Sequence, residues 1–289
     1  DFYIKPSTIG KAASIDYYPK TSFIKLKNES ITVQDSVQKR LKIDRDWVLN
    51  KNNFNAYGEI NDTSGVDTLY RNIYDPSTFT GVVFKESLEK YGVRVKTISK
   101  KKTSNKSYKK VSNHLSKPLI HSATNLMNES DNLSAELFVK SIGALDTLPG
   151  TWKVGLDSIK SFLAKKVLID TSNIRLADAS GVSRYNLTSA AQLNSLLKWM
   201  YNSEYKDDFI STLPGGGWEK STLEKRLIDE GDLVRAKTGG LSGVRNLAGY
   251  IKSKKYGDVA FSILMNGYTD YSSRYARVHD QIVKSIIYD

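Results

Sequence analysis

Three strand-like runs follow one another near the end of the chain: Leu233 to Lys237, Val244 to Ile251 and Val259 to Met265. They are joined by turns that contain glycine. Runs this short and this closely spaced leave no room for crossover helices, so they predict an antiparallel meander. Behind them Tyr275, Val278, Ile282, Val283 and Ile286 form one apolar stripe at helical spacing, and a helix here would cover one face of that sheet.

The periodicity upstream differs. Leu119 to Met127, Leu133 to Ile142 with a stop at Gly143, Trp152 to Val167 and Ala190 to Tyr201 repeat as amphipathic helices. The first third is strand-rich, with Ala12 to Tyr18, Thr21 to Lys27 and Phe54 to Ile60 lying between turn residues such as Pro19, Asn28 and Gly58. Asp75-Pro76 places an N-cap and a first-turn proline before Phe79, Val82, Val83 and Leu88, which predicts a short helix ending at Gly92. A β-type unit, a helical block and a meander make an α/β (α+β) chain, and 289 residues suffice for one large or two ordinary domains.

Charge and cysteine usage narrow the function classes. The chain has 43 basic and 31 acidic residues, a net +12, which favours an anionic neighbour. The stretch Arg94 to Lys110 holds many lysines and no acid, and reads either as a solvated loop or as a docking strip for a polyanion. No zinc-finger, ribonucleoprotein or helix-turn-helix pattern accompanies the charge, so nucleic acid is not expected. No apolar run approaches the ~18 residues of a membrane span. Cysteine is absent, which excludes disulfides and thiolate zinc sites. His114, His121 and His279 are not spaced as metal ligands, and no metal or organic cofactor is expected.

Two short motifs carry chemistry. Lys237-Thr238-Gly239 stands at the end of one predicted strand and just before the next. An ammonium and a hydroxyl can together hold a carboxylate, and a glycine lets a substrate backbone lie close to a strand edge. Ser130-Asp131-Asn132 precedes a predicted helix. A serine hydroxyl there can relay a proton, and an asparagine amide can hold an acyl group, although Ser130 or Asn132 could equally serve as a helix cap. Ser-x-Asn and Lys-Thr-Gly are two of the three signatures shared by β-lactamases and penicillin-binding proteins.

The flanks of both motifs resemble the D-Ala-D-Ala carboxypeptidase/endopeptidase family, the class C low-molecular-mass penicillin-binding proteins. Met127-Asn-Glu-Ser-Asp-Asn-Leu-Ser-Ala-Glu136 resembles its Ser-Asp-Asn block. Leu176-Ala-Asp-Ala-Ser-Gly-Val-Ser-Arg-Tyr-Asn186 resembles its Asp-Gly-Ser-Gly-Leu-Ser-Arg-x-Asn block. Leu213-Pro-Gly-Gly-Gly and Ser221-Thr-Leu-Glu-Lys-Arg226 follow in family order, before Val234-Arg-Ala-Lys-Thr-Gly-Gly-Leu-Ser-Gly-Val-Arg-Asn-Leu-Ala-Gly-Tyr250. Ala179, Ser221 and Gly240 depart from the pattern. At Gly240 the family usually has a hydroxyl residue that binds the substrate's carboxylate.

The resemblance implies a penicillin-recognising serine transpeptidase/β-lactamase-like fold, in which an antiparallel sheet is flanked by helices. Residues 1–112 would be the C-terminal part of a β-rich insertion domain and 113–289 a catalytic domain lacking its N-terminal segment. Ser130 is implied as proton relay, Asn132 as substrate and lysine positioner, Lys237 with Thr238 as carboxylate clamp, and Gly239 and Gly240 as substrate-binding backbone. The family's nucleophile lies in a Ser-x-x-Lys motif near the mature N-terminus. The literal match Ser22-Phe-Ile-Lys25 lies in a β-type run, where residues three apart face opposite ways, so the nucleophile is expected from outside this chain. The implied partners are peptidoglycan peptides, β-lactams, an anionic wall polymer and a separate N-terminal fragment carrying the nucleophile. The implied location is exported, in the periplasm or cell wall. A β-lactamase-like hydrolase and a non-catalytic peptidoglycan-binding module are the alternatives.

Overall fold

The computed structural model describes residues 1–34, 37–101 and 109–288, so the middle of the basic stretch Arg94 to Lys110 lies outside the described residues. The chain forms two compact units, Asp1–Val111 and Ser112–Asp289. No helix among the described residues is long and apolar enough to cross a membrane.

Among its described residues the first unit contains two three-stranded sheets. β1 (Phe2–Lys5) pairs with β2 (Ser14–Tyr17) and β6 (Asp67–Leu69). β5 (Asn53–Asn61) lies between β3 (Lys25–Val33), to which it is parallel, and β4 (Lys42–Arg45). Phe2, Ile4, Ile43 and Phe54 fill the core, and Phe79 of α1 (Pro76–Lys90) packs against it. Asp75 caps that helix by accepting from the Thr78 N–H. The strand expected over Thr21 to Lys27 begins only at Lys25. Glu86 of α1 takes both the N–H and the hydroxyl of Ser22, at 2.9 and 2.5 Å, so this segment runs as a turn before β3 starts. Ser22 therefore stands in a turn and not in a strand, with its hydroxyl tied to a carboxylate.

The second unit opens with α2 (Leu119–Glu129), α3 (Asn132–Asp146) and α4 (Trp152–Lys165), continues through α5 (Ala190–Tyr201) and α6 (Lys206–Thr212), and ends with β7 (Val234–Leu241), β8 (Val244–Ser253), β9 (Gly257–Asn266) and α7 (Ser272–Tyr288). The three strands form an antiparallel meander in the order β7-β8-β9. On one face Val234, Ala236, Leu247, Ile251 and Phe261 pack on Val283 and Ile287 of α7. On the other, Tyr250 packs with Leu197 and Leu213, and its hydroxyl donates to the Leu197 carbonyl.

Three further expectations are corrected. β7 runs on to Leu241, so Lys237-Thr238-Gly239 lies inside a strand and not at its end; full pairing with β8 outweighs the weak strand preference of the two glycines. α3 continues through Gly143 to Asp146 because the glycine serves helix packing there: a Cβ on it would lie 2.8 Å from the Thr151 carbonyl oxygen. On α7 the buried residues are Ala276, His279, Val283 and Ile287, whereas Val278 and Ile282 are exposed. The expected stripe is thus rotated by about one residue.

Candidate active site

The end of α2 is held from two sides. The Asn128 side-chain amide donates to the Thr212 carbonyl, and the Asn128 backbone carbonyl accepts from the Thr222 N–H. α2 then stops at Ser130, which sits in the left-handed region at φ 60°, ψ 48°. Such a backbone costs a non-glycine residue on the order of 1 kcal/mol, and persists only where the surroundings determine it. Here the next helix begins at once. Asp131 caps α3 by accepting from the N–H groups of Leu133 and Ser134, and it also accepts from the Ser134 hydroxyl. The cap is therefore Asp131, and neither Ser130 nor Asn132 does that work. With Asp131 occupied by the helix, the Ser130 side chain is free to face β7.

Lys237 meets it there. The ammonium donates to Ser130 Oγ at 2.8 Å and to the Thr238 carbonyl at 3.1 Å. Burial lowers the Lys237 pKa to about 8. At neutral pH most of the population is still ammonium, which has only donors to offer, so Ser130 must accept. The proton on Ser130 is then left to point elsewhere.

The outer edge of β7 is covered at one end only. The Ala236 N–H donates to the Pro214 carbonyl, and the Arg235 guanidinium donates to the Leu213 carbonyl. Outward-facing N–H groups recur every second residue, so those of Thr238 and Gly240 point to the same edge beyond this cover. Gly239 has room beside it: an added Cβ would meet only Asn246, at an ordinary 3.5 Å. Nothing among the described residues forces glycine at that position.

Lys237, Thr238 and Gly239 line a cavity of about 770 Å³. Its opposite wall is apolar, with Met127, Leu196, Leu197 and Leu213. The third wall is the loop 176–187. Asp178 binds the loop to itself, accepting from the N–H groups of Gly181 and Ser183 and from the Asn186 amide. Glu136 of α3 accepts from the N–H groups of Ala179 and Ser180, and Arg184 donates to the Ser242 carbonyl in the turn between β7 and β8. The loop thus joins the helix that follows Ser130 to the hairpin that carries Lys237.

The structure brings together Ser130, Lys237, Thr238 and Gly239. Asn132 sits exposed in the first turn of α3, and no hydrogen bond joins its amide to any described residue. Gly240 is exposed at the end of β7, opposite Arg245 of β8. Sequence reasoning passed over Asp131, Glu136 and Arg184 as contributors to the site. The spacing Asp131-x-x-Ser134 ahead of an apolar run was a usable cap signal, whereas the bonds of Glu136 and Arg184 span 43 and 58 residues and leave no local trace.

The sequence model of the D-Ala-D-Ala carboxypeptidase 3 (S13) family matches residues 2–285. The D-alanyl-D-alanine carboxypeptidase of an Actinomadura species is 30% identical over 276 residues, covering 92% of this chain and 50% of the relative. The D-alanyl-D-alanine carboxypeptidase DacB of Haemophilus influenzae is 34% identical over 160 residues, covering 54% of this chain and 33% of the relative. This chain therefore spans half or less of the length of these two relatives. Among solved structures, penicillin binding protein 4 (dacB) from Haemophilus influenzae, in complex with a novel β-lactam, superposes with a TM-score of 0.76 at 22% identity. That match covers 100% of this chain and 69% of the other, and it establishes a shared fold.

Proposed function

The chain belongs to the D-Ala-D-Ala carboxypeptidase 3 (S13) family, and we propose that it supplies the Ser-Asp-Asn and Lys-Thr-Gly parts of a serine D-Ala-D-Ala carboxypeptidase/endopeptidase site. The nucleophile is the serine of a Ser-x-x-Lys segment outside this chain, and the open apolar wall of the cleft is where such a segment packs. The single observation that carries this reading is the 2.8 Å bond from Lys237, which lines the cleft, to Ser130, which brings the two motifs together.

The chemistry is acyl transfer. The serine oxygen attacks the carbonyl of the penultimate D-alanine, its proton passes to a base, and the C–N bond breaks to release the terminal D-alanine as an amine. Ser130 gives its hydroxyl proton to that amine, because Lys237 already occupies an Oγ lone pair. The buried cation next to it then stabilises the oxygen that has lost the proton. The outward N–H of Gly240 can donate to the developing oxyanion, and the free edge of β7 can pair with an extended peptide. Water then attacks the acyl-enzyme and releases the shortened peptide. Asn132 holds the acyl amide.

On this reading the substrates are peptidoglycan stem peptides and cross-bridges, penicillins acylate the same serine, and the protein works outside the cytoplasm, in the periplasm or cell wall. The first unit is then part of a β-rich insertion domain. The test is to treat the intact natural protein with a fluorescent penicillin and map the labelled residue. Labelling of a serine in a Ser-x-x-Lys segment other than Ser22 is expected, together with release of D-alanine from a peptide ending in D-Ala-D-Ala. No label and no release would leave a non-catalytic module, and a label on Ser22 would overturn the assignment of the nucleophile.

A further inference from the structure

Lys-Thr-Gly in β7 is followed by Gly240, which has no side chain to offer a ligand. Arg245 stands directly across from it in the β7–β8 register. Residues opposite one another in an antiparallel pair project to the same face, and Thr238, two positions before Gly240, projects there too. The space that glycine leaves is in contact with the guanidinium: a Cβ built on Gly240 would lie 3.2 Å from Arg245 Nη1. Any larger residue at 240 would crowd this group.

The Arg245 guanidinium is also uncompensated. Its Nε is buried without a hydrogen-bond partner, and no ion pair joins the group to any described residue. The neighbouring Arg226 holds the nearby carboxylate, donating from Nη2 to Asp280 at 2.7 Å and to the Ala276 carbonyl at 3.1 Å, with Nε also directed at Asp280, while its Nη1 is buried without a partner among the described residues. Two guanidiniums thus share one carboxylate, and one positive charge is left over. Burial first, and the Arg226 charge second, make Arg245 hold its proton less tightly than usual, opposed by Tyr268 and Asp280. The hydroxyl of Tyr268, another neighbour that acts electrostatically on Arg245, is likewise buried without a partner.

We propose that Arg245 binds the terminal carboxylate of the substrate, together with the Thr238 hydroxyl, through the gap left by Gly240. This rests on the reading of the cleft as a D-Ala-D-Ala site and names the group that confers its preference for a free carboxylate. A guanidinium offers two parallel N–H donors to a carboxylate, which a hydroxyl residue at 240 could not.

The experiment uses the intact natural protein and two peptides ending in D-Ala-D-Ala, one with a free C-terminal carboxylate and one with that carboxylate amidated. Arg245→Ala should raise KM for the acid by about 10- to 100-fold, as loss of a hydrogen bond to a charged group does, and leave the amide unaffected. Adding Gly240→Thr to Arg245→Ala should recover part of the preference for the acid. Should Arg245→Ala fail to fold, Arg245→Lys keeps the charge and most of the packing, and should still narrow the acid-to-amide ratio. Equal losses on both peptides, or none on either, would assign Arg245 a structural role and overturn the proposal while leaving the D-Ala-D-Ala reading in place. A wild-type protein that neither cleaves the acid nor takes up penicillin would overturn both.

Discussion

The Lys237 ammonium lies 2.8 Å from the Ser130 hydroxyl oxygen, although 107 positions separate the two in the chain. Burial is what makes the contact chemically useful, because it places the Lys237 pKa at about 8, where a proton can leave within the working range. Penicillin acylation of the intact protein should therefore fall as pH rises through about 8, as the ammonium that orients Ser130 is lost. Lys237→Arg should abolish that descending limb while lowering the overall rate. The contribution of Lys237 to stability has the opposite sign. Between about 8 and the ordinary lysine value of 10.5 the unfolded chain binds the extra proton, so stability rises with pH across that window. An acylation profile flat from pH 7 to 9.5 would exclude Lys237 as the group that titrates.

Asp131 should prove to be a positioning residue. Its carboxylate takes two N–H groups at the start of α3, and so fixes the chain direction immediately after Ser130. Asp131→Ala should cost about 1 kcal/mol of stability, the usual loss for an N-cap, measured by denaturant titration. It should also reduce the acylation rate through misplacement of Ser130 without moving the inflection near pH 8. Asp131→Asn should restore most of the stability, because an amide oxygen caps nearly as well. A displaced inflection in Asp131→Ala would mean that the carboxylate acts on Lys237 itself.

The close approach of α3 and α4 supplies a second stability test. A Cβ on Gly155 would lie 2.0 Å from the Val139 carbonyl oxygen, a clash with backbone that no rotamer can relieve. In a free helix Gly→Ala gains about 1 kcal/mol. Here Gly155→Ala should instead destabilise by about 3 kcal/mol or more, because the helices must move apart. A thermal midpoint unchanged or raised by the substitution would show that the two helices do not pack at this distance.

What the sequence made legible follows from the range of each interaction. The meander and the α7 helix are written in local patterns, alternation and helical spacing bounded by glycines, and both formed close to their expected positions. The strand end at Lys237 was misplaced because Thr238-Gly239-Gly240 reads as a turn until its partner Asn246-Arg245 is known. Gly143 read as a helix stop for the same reason, since the close neighbour that requires glycine comes from the segment leading into α4. The motifs Ser130-Asp131-Asn132 and Lys237-Thr238-Gly239 could be found by resemblance. Their meeting could not be derived from spacing, and neither could the loop that Glu136 and Arg184 hold between them.

His279, set aside as a metal ligand on its spacing, interrupts the apolar stripe of α7 with a polar ring, yet its side chain is fully buried and neither ring nitrogen has a partner among the described residues. Burial, reinforced by the charges of Arg226 and Arg245 and opposed by Asp280, lowers its pKa to about 4. The unfolded chain, with a histidine near 6.5, binds more protons between these two values. Stability should therefore be full above about pH 6.5 and decline as pH falls toward 4, by on the order of 3 kcal/mol across the window. Replacing the ring with an apolar side chain of similar size removes the titrating group and the two unpaired nitrogens together. His279→Leu should accordingly leave stability at pH 7 near or above that of the natural chain, and flatten its decline between pH 6.5 and 4. Denaturant midpoints of both proteins across this range provide the measurement. An equally steep acid decline in His279→Leu would place its origin in other groups and show that His279 is not held neutral by its burial.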